Sequence, residues 1–322
     1  MKKETTIKLL AGAAMGAAGL TTGIASTILV SKTLLRPGEA GQEIIDKFAD
    51  PVKMAEYAGS MALVGKWLKE QKLDDVSIRS RDGLLLHAYY LPAHSPSNRL
   101  VILHHGFTGN AMDNDAMHAK FFHEQGYEVL LPDLRAHGKS EGKYVGFGIL
   151  ERFDTLEWVK HSLERFGRDI HIVLHGTSMG AATVLMTLGI PEIQETVSAV
   201  IADCGYTSPA EIFAYMIRKD YHIPPKPVLK VAGIETRALA GYSYDDYSTL
   251  DALQGNRVPV LFIHGREDHF VPAWMTQKNY DTCNSKKELL FVENAGHGFS
   301  VLENQPLYEQ AEKDFLAEVL GE

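Results

Sequence analysis

The pentapeptide Gly176-Thr177-Ser178-Met179-Gly180 constrains this chain more than any other stretch, because it stands where a short apolar run gives way to a helical one. Residues 170–175 have the length and branching of a strand buried on both faces, and residues 181–186 continue as helix. A serine held at so tight a strand-to-helix turn takes a strained backbone conformation and presents its Oγ at the sheet edge. The flanking glycines let neighbouring backbone approach without a Cβ clash. The Met179 amide opens the helix and points at developing negative charge. Such a pentapeptide also arises by chance, so the rest of the chain has to decide whether Ser178 is a nucleophile.

The organisation around it is regular. Residues 76–80 and 84–91, separated by Arg81-Asp82-Gly83, predict an antiparallel hairpin with glycine at a positive-φ position. Strands follow at 100–104, 127–132, 170–175, 199–203, 260–264 and 288–292, with helices near 115–125, 149–166, 179–188, 272–282 and 306–319. This alternation predicts a mostly parallel sheet, eight-stranded with the hairpin, and helices on both faces. One interval breaks the rhythm: 205–253 is far longer than the 2–6-residue loops of such units. Pro209, Pro224, Pro225 and Pro227 punctuate amphipathic fragments there, which reads as a small helical cap. Its Phe213, Tyr215, Met216, Tyr221, Ile223 and Val228 are candidates for lining an apolar acyl or aromatic pocket, and equally for packing the cap on the body.

Charge divides the chain. Residues 1–36 carry a net +4 (five basic residues against Glu4), so the remainder carries −13 of the overall −9. An acidic body excludes the basic face that nucleic-acid binding needs. Cys204 and Cys283 lack metal-ligand spacing, and buried free thiols are expected rather than a disulfide framework. Residues 9–30 are uncharged and follow Lys2, Lys3 and Lys8, long enough for the ~20 apolar residues that cross a bilayer. The reading is therefore a segment 1–36 outside the fold, an uncleaved single-pass anchor with the body outside the cytoplasm. The alternative is a signal peptide cut after Ala25, giving a secreted protein. Residues 37–75 read as a helical linker, with Ile44, Ile45 and Phe48 apolar and a break at Pro51.

Serine catalysis needs a base beside the hydroxyl, an acid behind the base, and donors for an oxyanion. The buried run 258–263 leads into a loop with Asp268, and 289–292 leads into a loop that sets His297 between Gly296 and Gly298. Upstream, 100–104 runs into His105-Gly106-Phe107, whose Phe107 N–H is the second candidate donor beside Met179 N–H. Asp203 and Glu267 are rivals for the acid, and His104, His105, His264 and His269 also stand near strand ends.

With these motifs in order, residues 76–320 resemble the α/β-hydrolase superfamily, in its bacterial branch of carboxylesterases, acylglycerol lipases, feruloyl-type esterases and S33-like aminopeptidases. His105-Gly106-Phe107, Asp133-Leu134-Arg135-Ala136-His137-Gly138-Lys139-Ser140, Gly176 to Gly180, and His264-Gly265 through Asp268 to His297 carry the resemblance. It departs at Ala136, where the family usually has glycine. The resemblance implies an α/β-hydrolase domain over 76–322 and a Ser178-His297-Asp268 triad working without metal or cofactor. It implies cleavage of a small-molecule or lipid-like acyl ester. An amide or peptide hydrolase, with Glu211 or Asp220 holding a charged substrate terminus, is the alternative. A non-catalytic, membrane-tethered binding protein is a third reading, one the complete triad opposes.

Overall fold

The computed structural model describes residues 21–37 and 51–321. Strands β1 (Asp74–Arg79), β2 (Leu85–Leu91), β3 (Arg99–His104), β4 (Glu128–Pro132), β5 (His171–Thr177), β6 (Val197–Asp203), β7 (Val260–Gly265) and β8 (Lys287–Val292) form one eight-stranded sheet. Their order is β1-β2-β4-β3-β5-β6-β7-β8. Strand β2 runs antiparallel to both β1 and β4, and every other pairing is parallel. The expected hairpin is the β1–β2 pair, turned through Gly83 at φ +91°.

The apolar runs are continuous because both faces of the sheet are covered. Successive side chains point to opposite faces, and the cores follow that period of two. Leu100, Ile102, Ile172 and Leu174 pack with the helices Glu151–Phe166 and Met179–Thr187. Val101, Leu103, Val173 and Ile201 pack on the other side with Ala116–Glu124 and Gln305–Leu320.

The interval 205–253 holds the helices Pro209–Tyr221, Pro225–Ala240 and Thr249–Leu253. Pro209 and Pro225 occupy first turns, where a missing N–H costs nothing. The Glu211 N–H donates to the Ser208 Oγ at 3.0 Å, capping the first of these helices. The prolines that punctuate the sequence are thus helix starts.

One expectation changes at the N-terminus. Pro51 is the first described residue of the helix Pro51–Glu70, so the break expected there, like Ile44, Ile45 and Phe48, is left outside the described residues. Residues 1–20 of the expected anchor also lie outside them. Residues 21–33, however, are helical and belong to the fold. Val30 and Leu34 are buried in a third core with Phe147, Met179, Phe213, Tyr244 and Phe270. The Ser26 and Thr27 hydroxyls donate to Glu235 Oε1 at 3.2 and 3.1 Å, and Leu35 bridges to Tyr144. Among the described residues, no helix is long and apolar enough to cross a membrane. The hydropathy of residues 21–30 suits a protein groove as well as a bilayer.

Candidate active site

Ser178 joins β5 to the helix Met179–Thr187 at φ +57° and ψ −113°, a region that strains any residue with a Cβ by on the order of 1–3 kcal/mol. Its neighbours must be glycine. A Cβ on Gly176 would lie 2.4 Å from the Gly180 carbonyl carbon, and one on Gly180 would lie 1.9 Å from the His104 carbonyl oxygen. The turn is fastened by the Ser178 N–H donating to the Asp203 carbonyl at 2.8 Å.

His297 and Asp268, chosen from loops far along the chain, converge on this serine. His297 Nε2 lies 2.8 Å from Ser178 Oγ, and His297 Nδ1 lies 2.6 Å from Asp268 Oδ2. Asp268 Oδ1 accepts the Phe270 and Val271 N–H groups, each at 2.8 Å. Burial would raise the Asp268 pKa, but the facing His297 and the hydrogen bonds from His264 and His297 outweigh it and hold the carboxyl well below its usual range. An ionised Asp268 only accepts, so Nδ1 of His297 carries the proton and Nε2 is left to accept from the Ser178 hydroxyl. The Phe270 ring packs edge-on against this imidazole, 4.9 Å between centroids.

Two histidines brace the arrangement, a role that strand-end position alone did not reveal. His264 Nε2 lies 2.8 Å from the Val271 carbonyl and 3.1 Å from Asp268 Oδ2, two acceptors, so it bears hydrogen and supports the acid. His105 accepts the Leu134 N–H at Nε2 (3.0 Å) and bonds the Gly106 carbonyl from Nδ1 (2.8 Å). It thereby ties the 133–140 loop to the turn that carries Phe107. That turn abuts the serine, since a Cβ on Gly106 would sit 3.4 Å from Ser178 Cβ. In the same loop, Asp133 accepts the Ala111 and Lys139 N–H groups at 3.1 and 2.9 Å. Arg135 forks onto Asp154 at 2.6 Å through both Nε and Nη2. Ala136 has φ +59°, which explains why glycine is the usual occupant.

The rivals are occupied elsewhere. Asp203 accepts from Ser300 Oγ at 3.2 Å, and burial pushes its carboxyl up to about 6. Glu267 is exposed and faces His269 at 3.9 Å. His104 is buried against Thr155, 3.0 Å from its hydroxyl. Among the described residues, His118, His175 and Glu312 bring donor atoms within 4.8 Å of one another. Burial pushes His118 down to about 4, His175 down as well, and Glu312 up. Each is thereby held uncharged, and a protonated carboxyl is a poor ligand for a divalent ion. Cys204 and Cys283 are free and buried.

Ser178 lies where two cavities meet. One, of about 410 Å³, is apolar: Phe213, Met216, Ile217, Tyr221, Ile223 and Val228 of the cap face Ile24, Ala25, Ile28 and Leu29 of the helix 21–33. Five of the six cap residues picked from sequence line it, and Tyr215 does not. The other, of about 750 Å³, is more polar, with Lys53, Asn110, Asp113, Glu267, His269, Asn294 and His297 on its walls. Phe107 and Phe270 border both. Asp220 lines the apolar cavity, whereas Glu211 lies outside both and is paired with Lys278 at 2.9 Å.

The fold recurs in solved structures. The Pyrococcus furiosus esterase Pf2001 superposes with a TM-score of 0.63 at 23% identity, over 79% of this chain and 93% of that one. The ferulic acid-bound Est1E of Butyrivibrio proteoclasticus gives 0.59 at 20% identity, over 77% and 100%. In sequence, the uncharacterised protein YqkD of Bacillus subtilis is 31% identical over 239 residues, 74% of this chain and 77% of its own length. The Xenopus laevis alpha/beta hydrolase domain-containing protein 17B is 27% identical over 188 residues, 58% of this chain and 56% of its own. The pattern that defines the Alpha/beta hydrolase family matches residues 101–312, from β3 to the last helix. With the sheet order, the strained serine turn and this match in agreement, the chain belongs to the alpha/beta hydrolase family.

Proposed function

We propose that this hydrolase cleaves carboxylic esters through an acyl-enzyme on Ser178. The observation that carries the reading is the unbroken contact chain from Ser178 Oγ through His297 to Asp268, at 2.8 and 2.6 Å, opening on an apolar cavity. Likeness to esterases supports it at the level of fold. Ser178 Oγ attacks the acyl carbonyl as its proton passes to His297 Nε2, and Asp268 stabilises the imidazolium. The Phe107 and Met179 amides hold the oxyanion, each worth on the order of 10²–10³ in rate. The imidazolium returns the proton to the leaving alkoxide. Water then repeats the attack, releasing the acid and restoring the serine hydroxyl.

The test is a p-nitrophenyl ester series from C2 to C16 beside an aminoacyl-anilide panel, on the full chain and on Ser178→Ala. Ester turnover that falls roughly 10⁶-fold in the variant supports the reading. Turnover undiminished in Ser178→Ala contradicts it. The amide-hydrolase reading has one favourable observation, Asp220 on the apolar cavity's wall. Anilide turnover with negligible ester turnover would establish it.

Location at a membrane, with the body outside the cytoplasm, is a separate proposal, supported by the uncharged run 9–30 and the lysines before it. It competes with the packing of residues 21–33, because residues 9–20 alone fall short of the ~20 needed to span a bilayer. Alkaline carbonate extraction decides it: protein retained in the pellet supports an anchor, and protein in the supernatant opposes it.

A further inference from the structure

The helix 21–33 is pinned along one face and open along the other. Ser26, Thr27, Val30 and Thr33 hold it down, with Thr33 Oγ1 2.9 Å from the Tyr244 hydroxyl and Ser26 and Thr27 on Glu235. Its other face is a helical stripe, residues 21, 24, 25, 28, 29 and 32; all six line the cavity that contains Ser178, and Thr33, at the boundary of the two faces, lines it as well. Ile24 and Ile28 in that stripe stay 55% and 46% exposed, wide exposure for isoleucines of a helix otherwise fixed to the body. Across the gap stands an equivalent stripe of the cap helix Pro209–Tyr221, residues 213, 216, 217, 220 and 221.

We propose that the helix 21–33 is a working part of the substrate site: with the cap helix it forms the two walls of a groove for an unbranched aliphatic acyl chain, and Ala25 and Ile28 set the length that fits. The inference rests on the acyl-enzyme reading above and adds the substrate class. The two facing helical stripes are mostly apolar, with Ile24, Ala25, Ile28 and Leu29 opposite Phe213, Met216 and Ile217, which suits an aliphatic chain. Ser178 lies on the wall of the same cavity, so a chain bound there can present its carbonyl to Oγ. Each methylene buried there raises kcat/KM roughly fourfold until the cavity is full.

The experiment compares the p-nitrophenyl ester length series on the unaltered full chain, Ile28→Trp, Ala25→Trp and Ile28→Ala, with fluorophosphonate labelling of Ser178 as an independent readout. The tryptophan variants are expected to label, and their ratio of kcat/KM on esters of C10 and longer to that on the C2 ester is expected to fall at least tenfold below the ratio of the unaltered protein. Ile28→Ala, which folds more readily than a bulky variant, is expected to move the optimum toward longer chains. The same length profile in all four proteins, with labelling intact, overturns this proposal alone. Absence of labelling in the unaltered protein overturns the acyl-enzyme reading and this proposal with it.

Discussion

The two cavities that meet at Ser178 differ in what builds them. The polar one is framed by loops that leave the carboxyl ends of β3, β7 and β8, together with the helix Pro51–Glu70. The apolar one is framed by segments that are not part of the sheet, the cap and the helix 21–33. The polar side draws mostly on loops of the sheet and the apolar side mostly on the cap and the helix 21–33, with Phe107 and Phe270 shared between them. On the proposed reading, the acyl chain takes the apolar cavity and the leaving group the polar one.

The largest effect expected is one that ignores the division. Asp268→Asn removes the group that holds His297 in its tautomer, so turnover should fall on the order of 10⁴-fold for every acyl length and leaving group alike. A loss confined to some esters would mean that Asp268 serves one cavity only. Asp203→Asn should leave the same rates within a few-fold.

Next come substitutions that should separate the two sides. Met216→Trp narrows the apolar cavity and should lower kcat/KM for esters of C10 and longer by at least tenfold while sparing C2. Lys53→Met, on the polar side, should change the ranking of alcohol leaving groups and leave the acyl-length profile alone. If Lys53→Met shifts the length profile and Met216→Trp does not, the assignment is reversed.

A smaller effect concerns stability beneath both cavities. Burial pushes the Asp203 carboxyl from 3.8 to about 6, so the folded protein keeps a proton that the unfolded chain releases between these values. The associated stability is complete below about pH 4 and is lost as pH rises through 6. Asp203→Asn does not titrate, so its stability relative to the unaltered protein should improve by ~3 kcal/mol between pH 4 and 7.5. Urea unfolding at the two pH values measures this, and a difference independent of pH would refute it. Smallest of all, Ala136→Gly relieves a positive φ at the cost of unfolded-chain entropy, and should change stability by less than ~1 kcal/mol with no loss of turnover.

The sheet and the contact chain were legible because both are written in short range. Short, continuous apolar runs gave β3 to β8 within a few residues, and Gly176 and Gly180 mark a turn that their neighbours' backbone leaves no room to close with any other residue. The three side chains chosen from loop position, Ser178, Asp268 and His297, are the three that meet. What sequence left open depends on partners distant in the chain. Residues 21–33 read as lipid-seeking because hydropathy has no term for a cap that begins, at residue 205, far along the chain. Their 24-25-28-29 stripe opposite Ser26 and Val30 was present but has no meaning without that cap. Tyr215 takes the packing role of its two expected ones: on a helix whose 213-216-217 face meets the cavity, position 215 points aside and packs on the third core. The bracing roles of His105 and His264 were not legible although both stand in the motifs that carry the resemblance, because Leu134, Asp268, Val271 and Thr276, which they meet, come together only in the fold.

The most direct measurement is the labelling rate of the full chain by alkyl fluorophosphonates with C2 and C12 tails, with the adduct located by peptide mass mapping. The account predicts one adduct, on Ser178, formed at least tenfold faster with the longer tail. An adduct on another residue, or equal rates for both tails, would contradict it.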